Sequence, residues 1–419
     1  MNQKINNIFK GDKVIWMVFF FLCMISIIEV FSASSNLTYK SNNYIKPIMM
    51  HSSTIIAGVV VAILTLNIPC RYFKLMTPFL LFFSVFTLLL VLVAGEDING
   101  AQRVIALFGL TFQPSEIAKG SLVLATAQIL SAKQTENGAD RSAFKWILIL
   151  TIPMAGLIML ENLSTAVLLC SVIFLMMFIG RVPMIQLGKL LGVVLGIGIA
   201  FFAFIMLVGH DTRKEQEKLN ATETIVKTKE EKSSIEKLFH RADTWKGRID
   251  KFMEDDKVEA KDYDLDKDGQ VAHANIAIVS SNVIGRGPGN SVERDFLAQA
   301  FSDFIFAIII EEMGIFGAAF VVFLYVILLY RAARIASRCE NNFPALLAMG
   351  LALLLVVQAS FNMLVAVGIV PVTGQPLPLI SKGGTSTIIN CAYIGAILSI
   401  SRSAKKVDKE KKQTTTQIA

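Results

Sequence analysis

The chain contains few of the residues that build metal centres and disulfide frameworks. Among 419 residues there are 4 histidines and 5 cysteines, and neither a C-x-x-C nor an H-E-x-x-H spacing occurs. Three of the cysteines (Cys23, Cys170 and Cys391) lie inside apolar runs. The sequence therefore indicates neither a structural zinc site nor a disulfide-stabilised secreted domain.

Charged residues are also scarce, at 17% of the chain, whereas 54% of the residues are hydrophobic. Soluble domains have about 25% charged residues, and a membrane helix needs about 20 apolar residues. We therefore predict an all-α polytopic membrane protein that forms a single membrane domain over residues 1–419. Ten spans are predicted, at about 14–34, 50–68, 74–94, 115–131, 145–160, 163–180, 184–208, 301–331, 343–370 and 382–401.

The basic residues of the short connections lie mostly on one side of these spans. With the N-terminus inside, nineteen fall in short inner segments and four in short outer loops, so the positive-inside rule predicts that both termini are cytoplasmic. Residues 209–300 then form a large extracytoplasmic loop between spans seven and eight, and residues 403–419 a flexible cytoplasmic tail. Glu29, near the end of the first span, is interpreted as an acid that reaches the membrane interface.

The net charge of +7 does not indicate a nucleic-acid partner. The long loop holds 19 of the 33 acidic and 16 of the 40 basic residues, so the excess of positive charge belongs to the cytoplasmic segments, where it anchors helices to membrane lipids.

Two motifs in the long loop suggest ligands only weakly. "DLDKDGQVAHAN" begins like a calcium-binding EF-hand, with Asp264, Asp266 and Asp268 in ligand positions, but Asn275 stands where a bidentate Glu belongs. An acidic turn explains it better. "GRGPGNS" exposes backbone N–H groups that could hold a phosphate, although no strand precedes it.

Polar residues gather in the predicted outer connections. "EDINGAQRVIALFGLTFQPSEIAK" carries Arg103 and places Glu116 and Lys119 on one helix face. These two form either a structural ion pair or a polar patch that opens into the membrane interior. "ENLSTA" at 161–166 is explained equally well as a plain turn or as part of a site.

The segment "GIVPVTGQPLPLISKGGTS" contains too much proline and glycine for a regular helix. Exposed backbone at membrane depth must face protein or water, so a re-entrant loop is predicted. Together these segments predict a wet outer cavity walled by helices.

The run "AFSDFIFAIIIEEMGIFG" places three acids at the start of span eight. Glu311 and Glu312 lie eight and nine residues beyond Asp303, about 12–13 Å along a straight helix. They are too far from Asp303 to share a proton with it, so structural pairing inside the bundle is predicted for them.

With "NGAQRVIALFGLTFQPSEIAK", "GRGPGNS", "SDFIFAIIIEEMGIFG" and "PVTGQPLPLISKGGTS" in this order, the chain resembles the SEDS family of cell-wall proteins (FtsW, RodA, SpoVE). The resemblance spans nearly the whole chain, and the N-terminal segment and "VPVTGQPLPLISKGG" look more like the division member FtsW than the elongation member RodA. It implies a peptidoglycan glycosyltransferase that polymerises lipid II in the cytoplasmic (inner) membrane, with its active site on the extracytoplasmic face, at the division septum.

The resemblance also implies partners and site residues. A class B penicillin-binding protein transpeptidase and other divisome proteins are the expected partners, and a divalent cation, Mg or Mn, is the expected cofactor. Asp303 is the expected catalytic carboxylate, acting as a general base with inversion at the anomeric carbon of the donor. The expected substrate-binding residues are Arg103, Gln113, Ser115, Glu116, Lys119, Thr373, Ser381, Gly383 and Gly384. The expected structural polar network contains Glu116, Lys119, Asn162, Glu311 and Glu312.

The sequence departs from the family pattern at several positions. Asn162 replaces the usual Asp before span six, and Lys382 replaces a usual Tyr. Lys382 could meet a pyrophosphate or, as we favour from the sequence, a lipid headgroup. A lipid II flippase or transporter, an elongation polymerase of the RodA type, and a non-catalytic scaffold remain as alternatives.

Overall fold

The structure is a computed structural model of the 419-residue chain. It describes residues 10–33, 45–94, 96–98, 101–107, 110–136, 138–208, 265–297 and 300–418. Most of the predicted long loop, including Asp264, lies outside the described residues.

Within those ranges the chain forms eleven α-helices, and ten of them coincide with the ten predicted spans. They are α1 (Lys13–Ala33), α2 (Ile45–Asn67), α3 (Cys70–Ala94), α4 (Pro114–Ala132), α5 (Arg141–Glu161), α6 (Leu163–Ile179), α7 (Met184–Val208), α8 (Leu265–Ser280), α9 (Ile305–Ala336), α10 (Asn342–Ala366) and α11 (Thr385–Ile418). Only α8 has no predicted counterpart.

Six helices in the described part of the chain are long and apolar enough to cross a membrane: α1, α2, α3, α5, α9 and α10. Helix α6 and the first part of α7 are apolar but shorter. The protein is therefore a largely helical, multi-pass membrane protein.

Local signals account for several helix boundaries. Pro114 opens α4, where its missing N–H leaves no intrahelical bond unmade. Asp140 caps α5 by accepting from the Ser142 N–H at 3.4 Å. Asn162 caps α6 by accepting from the N–H groups of Ser164 and Thr165 at 3.0 and 3.3 Å.

The connection between α3 and α4 folds into a small antiparallel sheet that the sequence did not indicate. Its strands are β1 (Glu96–Ile98), β2 (Ala101–Leu107) and β3 (Leu110–Phe112), in that order. A second hairpin, β4 (Gln134–Thr135) with β5 (Gly138–Ala139), follows α4. The backbone of Arg103 therefore lies on the central strand of the first sheet.

Helix α10 lies at the centre of the bundle. It packs against α4, α6, α9 and α11, and α11 in turn packs along α2. A buried ion pair joins Asp12, which precedes α1, to Arg331 near the end of α9. Burial acts to raise the pKa of Asp12, but hydrogen bonds from Arg331 and from the first turn of α1 outweigh it and leave that pKa below its usual value.

Three expectations are corrected or extended here. Asp266 and Asp268 lie within α8, and a continuous helix cannot wrap an ion as an EF-hand loop does. Glu29 does not reach an interface, because it is fully buried between helices. Helix α11 continues to Ile418 through the segment predicted as a flexible tail; five lysines lie in that segment, and lysine favours helix.

Candidate active site

Asp303 lies in a turn just before α9, at one end of the helix bundle. We call this the Asp303 end; the N-termini of α9 and α11 and the C-terminus of α10 meet there. The carboxylate is half-buried, and its Oδ1 accepts a hydrogen bond from Ser302 Oγ at 3.0 Å. The amide of Asn362 on α10 donates to the Asp303 carbonyl at 2.8 Å.

The segment between α10 and α11 packs directly against the turn that carries Asp303. Ser381 Oγ donates to the carbonyl of Ser302 at 2.6 Å and accepts from the Leu377 N–H at 2.8 Å. The N–H of Lys382 donates to the Phe301 carbonyl at 3.0 Å. The position of Asp303 thus depends on the conformation of residues 377–382.

This segment was predicted to be a non-helical loop that dips back into the protein, and in the structure it is non-helical. Gln375, Leu377, Leu379 and Ile380 are buried in protein although none of them is helical. Gln375 donates to Thr165 on α6 at 2.8 Å, and its carbonyl accepts from Asn362 at 2.8 Å. The bare backbone is therefore satisfied by protein groups, as membrane depth requires.

Lys119 occupies the interior of the bundle. Its side chain is fully buried, and Nζ donates to Glu116 Oε1 at 2.8 Å and to Gln358 Oε1 at 2.7 Å. Gln358 also donates to the carbonyl of Pro376 at 3.1 Å. This geometry favours the structural alternative for Glu116 and Lys119, because an ammonium group held twice in the interior is not available to a leaving group.

The remaining predicted residues lie around this network. Ser115 is buried, while Gln113, Thr373, Gly383 and Gly384 are half-buried. Asn162 is occupied as a helix cap, and the described hydrogen bonds of Lys119 go to Glu116 and Gln358 instead. For Arg103 the structure describes only the backbone. Among the described side chains, the hydroxyl of Ser115, the hydroxyl of Thr373 and Glu116 Oε2 are buried without a hydrogen-bond partner.

Glu311 and Glu312 form a separate cluster with the Gly loop, residues 285–291. Glu312 accepts from the N–H groups of Gly289 and Ser291 at 2.9 and 3.2 Å. Glu311 accepts from the hydroxyl of Ser291 at 2.5 Å and from the Val292 N–H at 3.0 Å. The two acids therefore hold the loop against α9 and do not take part in the surroundings of Asp303.

A break in α9 makes room for this loop. Gly314 has φ 67° inside the helix, and Gly285 has φ 82° opposite it. A Cβ on Gly285 would lie 2.3 Å from the Glu312 carbonyl oxygen, and one on Gly314 would lie 2.4 Å from that of Val283. Only glycine at both positions allows such close backbone approach.

Lys382 is the described cation placed next to the turn that carries Asp303. Its ammonium group lies 4.9 Å from the centre of the Phe301 ring, within the range of a cation–π contact.

Sequence reasoning missed Gln358, Asn362 and Gln375. Their hydrogen bonds link Lys119 and helix α6 to the segment between α10 and α11 and to the turn that carries Asp303. Gln358 and Asn362 are four residues apart in an otherwise apolar helix, so they share one face. Uncharged polar residues at that spacing in a membrane helix were the available signal.

The described residues contain no cluster of three or more His, Cys, Asp or Glu side chains that could hold a metal ion. A dedicated protein cage for a divalent cation is therefore absent from this part of the chain. Mg²⁺ at phosphate-transfer sites commonly uses one or two carboxylates together with substrate phosphates, so a divalent cation that binds with the substrate stays a prediction.

Comparison with known proteins gives a consistent family. Residues 12–406 match the FtsW/RodA/SpoVE family, described as "Cell cycle protein". The chain is 31% identical to the probable peptidoglycan glycosyltransferase FtsW of Halomonas elongata, over 84% of this chain and 80% of the relative. It is 30% identical to the probable FtsW of Hahella chejuensis, over 91% and 88%.

Two solved structures share the fold. One, described as showing structural coordination of polymerization and crosslinking by a peptidoglycan synthase complex, superposes with a TM-score of 0.67 at 23% identity, covering 94% of this chain and 98% of the other. The rod shape determining protein RodA of Thermus thermophilus superposes with a TM-score of 0.62 at 23% identity, with the same coverage.

Proposed function

The chain belongs to the FtsW/RodA/SpoVE family, and from that premise we propose that it is a peptidoglycan glycosyltransferase that polymerises lipid II during cell division. Its relatives at 30–31% identity are named as probable peptidoglycan glycosyltransferases of the FtsW type. The structural observation that carries the proposal is half-buried Asp303 at the junction of α9, α10 and α11: its carboxylate accepts from Ser302, and its backbone carbonyl accepts from the Asn362 amide.

In the proposed mechanism, Asp303 is the general base. It takes the proton from the 4-hydroxyl of the acceptor sugar as that oxygen bonds to the anomeric carbon of the donor, and the bond from this carbon to the lipid pyrophosphate breaks. A single displacement inverts the anomeric configuration, from an α-linked donor to a β-linked glycan. General-base assistance is typically worth about 10²–10⁴-fold.

The departing pyrophosphate requires positive charge nearby. Lys382 supports this role better than Lys119, because it adjoins the turn of Asp303 and no described carboxylate pairs with it. Arg103 stays a prediction for the same role. A divalent cation that enters with the substrate phosphates would neutralise further charge when bound, and it would leave the Asp303 carboxylate to take the proton.

We further propose ten membrane crossings with both termini cytoplasmic and the Asp303 end extracytoplasmic. The ten helices that match the predicted spans and the bias of basic residues support this arrangement. At the septum, a class B penicillin-binding protein would cross-link the strands made here. The structural neighbour described as a polymerising and cross-linking complex supports that pairing.

The test is a polymerisation assay with purified protein and lipid II in detergent, where no bilayer has to be crossed. Wild type should produce glycan strands, and Asp303→Asn should lower the rate by about 10²-fold or more, as loss of a general base requires. Asp295→Asn is the matched control, because Asp295 is an exposed acid on the same segment; its rate should stay within about twofold of wild type.

Three results would contradict the proposal. Polymer formation by a folded Asp303→Asn variant at the wild-type rate would remove the base assignment. Transport of lipid II by vesicle-reconstituted protein, without any polymer in detergent, would indicate a flippase. No polymer even with the partner transpeptidase present would indicate a scaffold.

A further inference from the structure

Two buried polar residues of α1 and α2 have no part in the mechanism above, although they contact the segment that positions Asp303. Ser26 is fully buried and His51 is nearly so. Ser26 Oγ lies 2.8 Å from His51 Nε2 and donates to the carbonyl of Ile380 at 2.6 Å. Polar groups inside a membrane bundle are expensive, so this placement requires a reason.

The donor and acceptor roles in this chain are fixed by the number of hydrogens. A serine hydroxyl has one hydrogen, and the Ile380 carbonyl can only accept. The Ser26 hydrogen therefore points to Ile380, and a lone pair of Oγ accepts the N–H of His51 Nε2. The chain needs a donor at position 51, and a positive charge there is not required.

Two residues continue the connection from Ile380 to Asp303: Ser381, which adjoins Ile380, and Ser302, which adjoins Asp303. Ser381 follows Ile380 and donates to the Ser302 carbonyl at 2.6 Å, and Ser302 donates to Asp303 Oδ1 at 3.0 Å. The same segment is held from the other side, since Tyr325 on α9 donates to the carbonyl of Pro378.

The backbone between these two anchored carbonyls is strained. Leu379 has φ 68°, one of two described residues other than glycine with a positive φ. Such a conformation costs about 1–3 kcal/mol and persists only where the surroundings enforce it. The hydrogen bonds to Pro378 and Ile380 flank Leu379 and enforce it here.

We propose that Ser26 and His51 are positioning residues for glycan polymerisation. They hold the carbonyl of Ile380, and through Ser381 they set the place of the turn that carries Asp303. This inference rests on the proposed function, because it assigns the two residues to the base that the function requires.

The test uses the full chain in the same lipid II assay, with kcat and KM measured separately. His51→Met keeps most of the volume but removes the donor, and His51→Gln restores an N–H donor. We expect His51→Met and Ser26→Ala to lower kcat about 10- to 100-fold, the range associated with a misplacement of about 1 Å at a catalytic group. KM for lipid II should stay within about twofold, and His51→Gln should recover most of kcat.

Two further variants isolate the effect. Thr54→Ala is the matched control, because Thr54 on α2 donates only to its own helix, at Met50 O, and it should behave as wild type. The double variant Ser26→Ala/His51→Met should be no slower than the worse single variant, since both act through one chain of bonds. If Ser26→Ala does not survive purification, Ser26→Cys is used in its place, and its thermal unfolding is measured together with its kcat.

The outcomes separate this inference from the proposed function. If wild type polymerises and requires Asp303, but His51→Met and Ser26→Ala have wild-type kcat, the positioning role is wrong and the function stands. A loss of kcat that tracks the loss of thermal stability and is not recovered by His51→Gln also overturns it. If wild type makes no polymer, the failure belongs to the proposed function.

Discussion

At the scale of single residues, the structure separates charges that the sequence could only group together. Asp303 is half-buried beside polar backbone, whereas Lys119 is enclosed and bound by Glu116 and Gln358. A buried pair contributes little net stability, but removal of one partner leaves an uncompensated charge. Lys119 is therefore expected to reveal its role in stability measurements rather than in substrate affinity.

We predict that Lys119→Met lowers the free energy of unfolding by about 3–5 kcal/mol, because Glu116 then stays buried without its partner. The double variant Lys119→Met/Glu116→Gln should regain most of that loss. Denaturation in detergent measures both. Lys133→Met, an exposed lysine just past the end of the same helix, should change the value by no more than about 0.5 kcal/mol. Equal losses in the single and double variants would contradict this explanation.

At the scale of elements, the Gly loop and the broken helix α9 form one interlocked unit. Gly285 needs both a positive φ and room for the Glu312 carbonyl, while Gly289 has φ 83° but open space around its Cα. Gly192 on α7 has a helical backbone, and a Cβ added there would meet no atom within 4 Å. Alanine substitutions at these three glycines therefore separate the cost of backbone strain from the cost of close packing.

We predict a graded series of stability losses for alanine at these positions. Gly289→Ala should cost about 1–2 kcal/mol for the left-handed backbone alone. Gly285→Ala should cost clearly more, since its Cβ would also lie 2.3 Å from the Glu312 carbonyl oxygen. Gly192→Ala should be neutral or stabilise by up to about 1 kcal/mol, because alanine favours helix. Unfolding in detergent measures the series, and similar losses at 285 and 289 would contradict the interlock.

The elements also show where sequence reasoning succeeds. Apolar runs locate ten helices to within about five residues at each end, except for the far end of α11, since a membrane helix must satisfy its own backbone. The sheet β1–β3 and helix α8 were missed, because short strands and a weakly apolar helix leave no such pattern. Glu29 was placed at an interface, although the packing of α1 against α9 encloses it. The Ser26–His51–Ile380 chain joins residues more than 300 positions apart, which no local pattern can reveal.

At the scale of the whole molecule, the orientation of the bundle decides whether Asp303 can meet lipid II on the extracytoplasmic side. Six described helices meet a strict criterion for crossing a membrane, and the helices at the other predicted spans are shorter or carry more polar residues. Those polar residues, such as Glu116 and Lys119 on α4, are the ones that pair inside the bundle. Low hydropathy in these helices is thus compatible with a membrane location.

We predict that the Gly loop and the α9–α10 turn lie on opposite sides of the membrane. In a variant without its native cysteines, Asn290→Cys should react with a membrane-impermeant maleimide in cells whose outer layers are opened but whose inner membrane is intact. Glu340→Cys should react only after that membrane is permeabilised. Both positions are exposed, so access to the reagent depends on the side of the membrane. Labelling of Glu340→Cys while the inner membrane is still intact would show that the bundle has the opposite orientation. Asp303 would then face the cytoplasm, where it could not polymerise lipid II outside the cell.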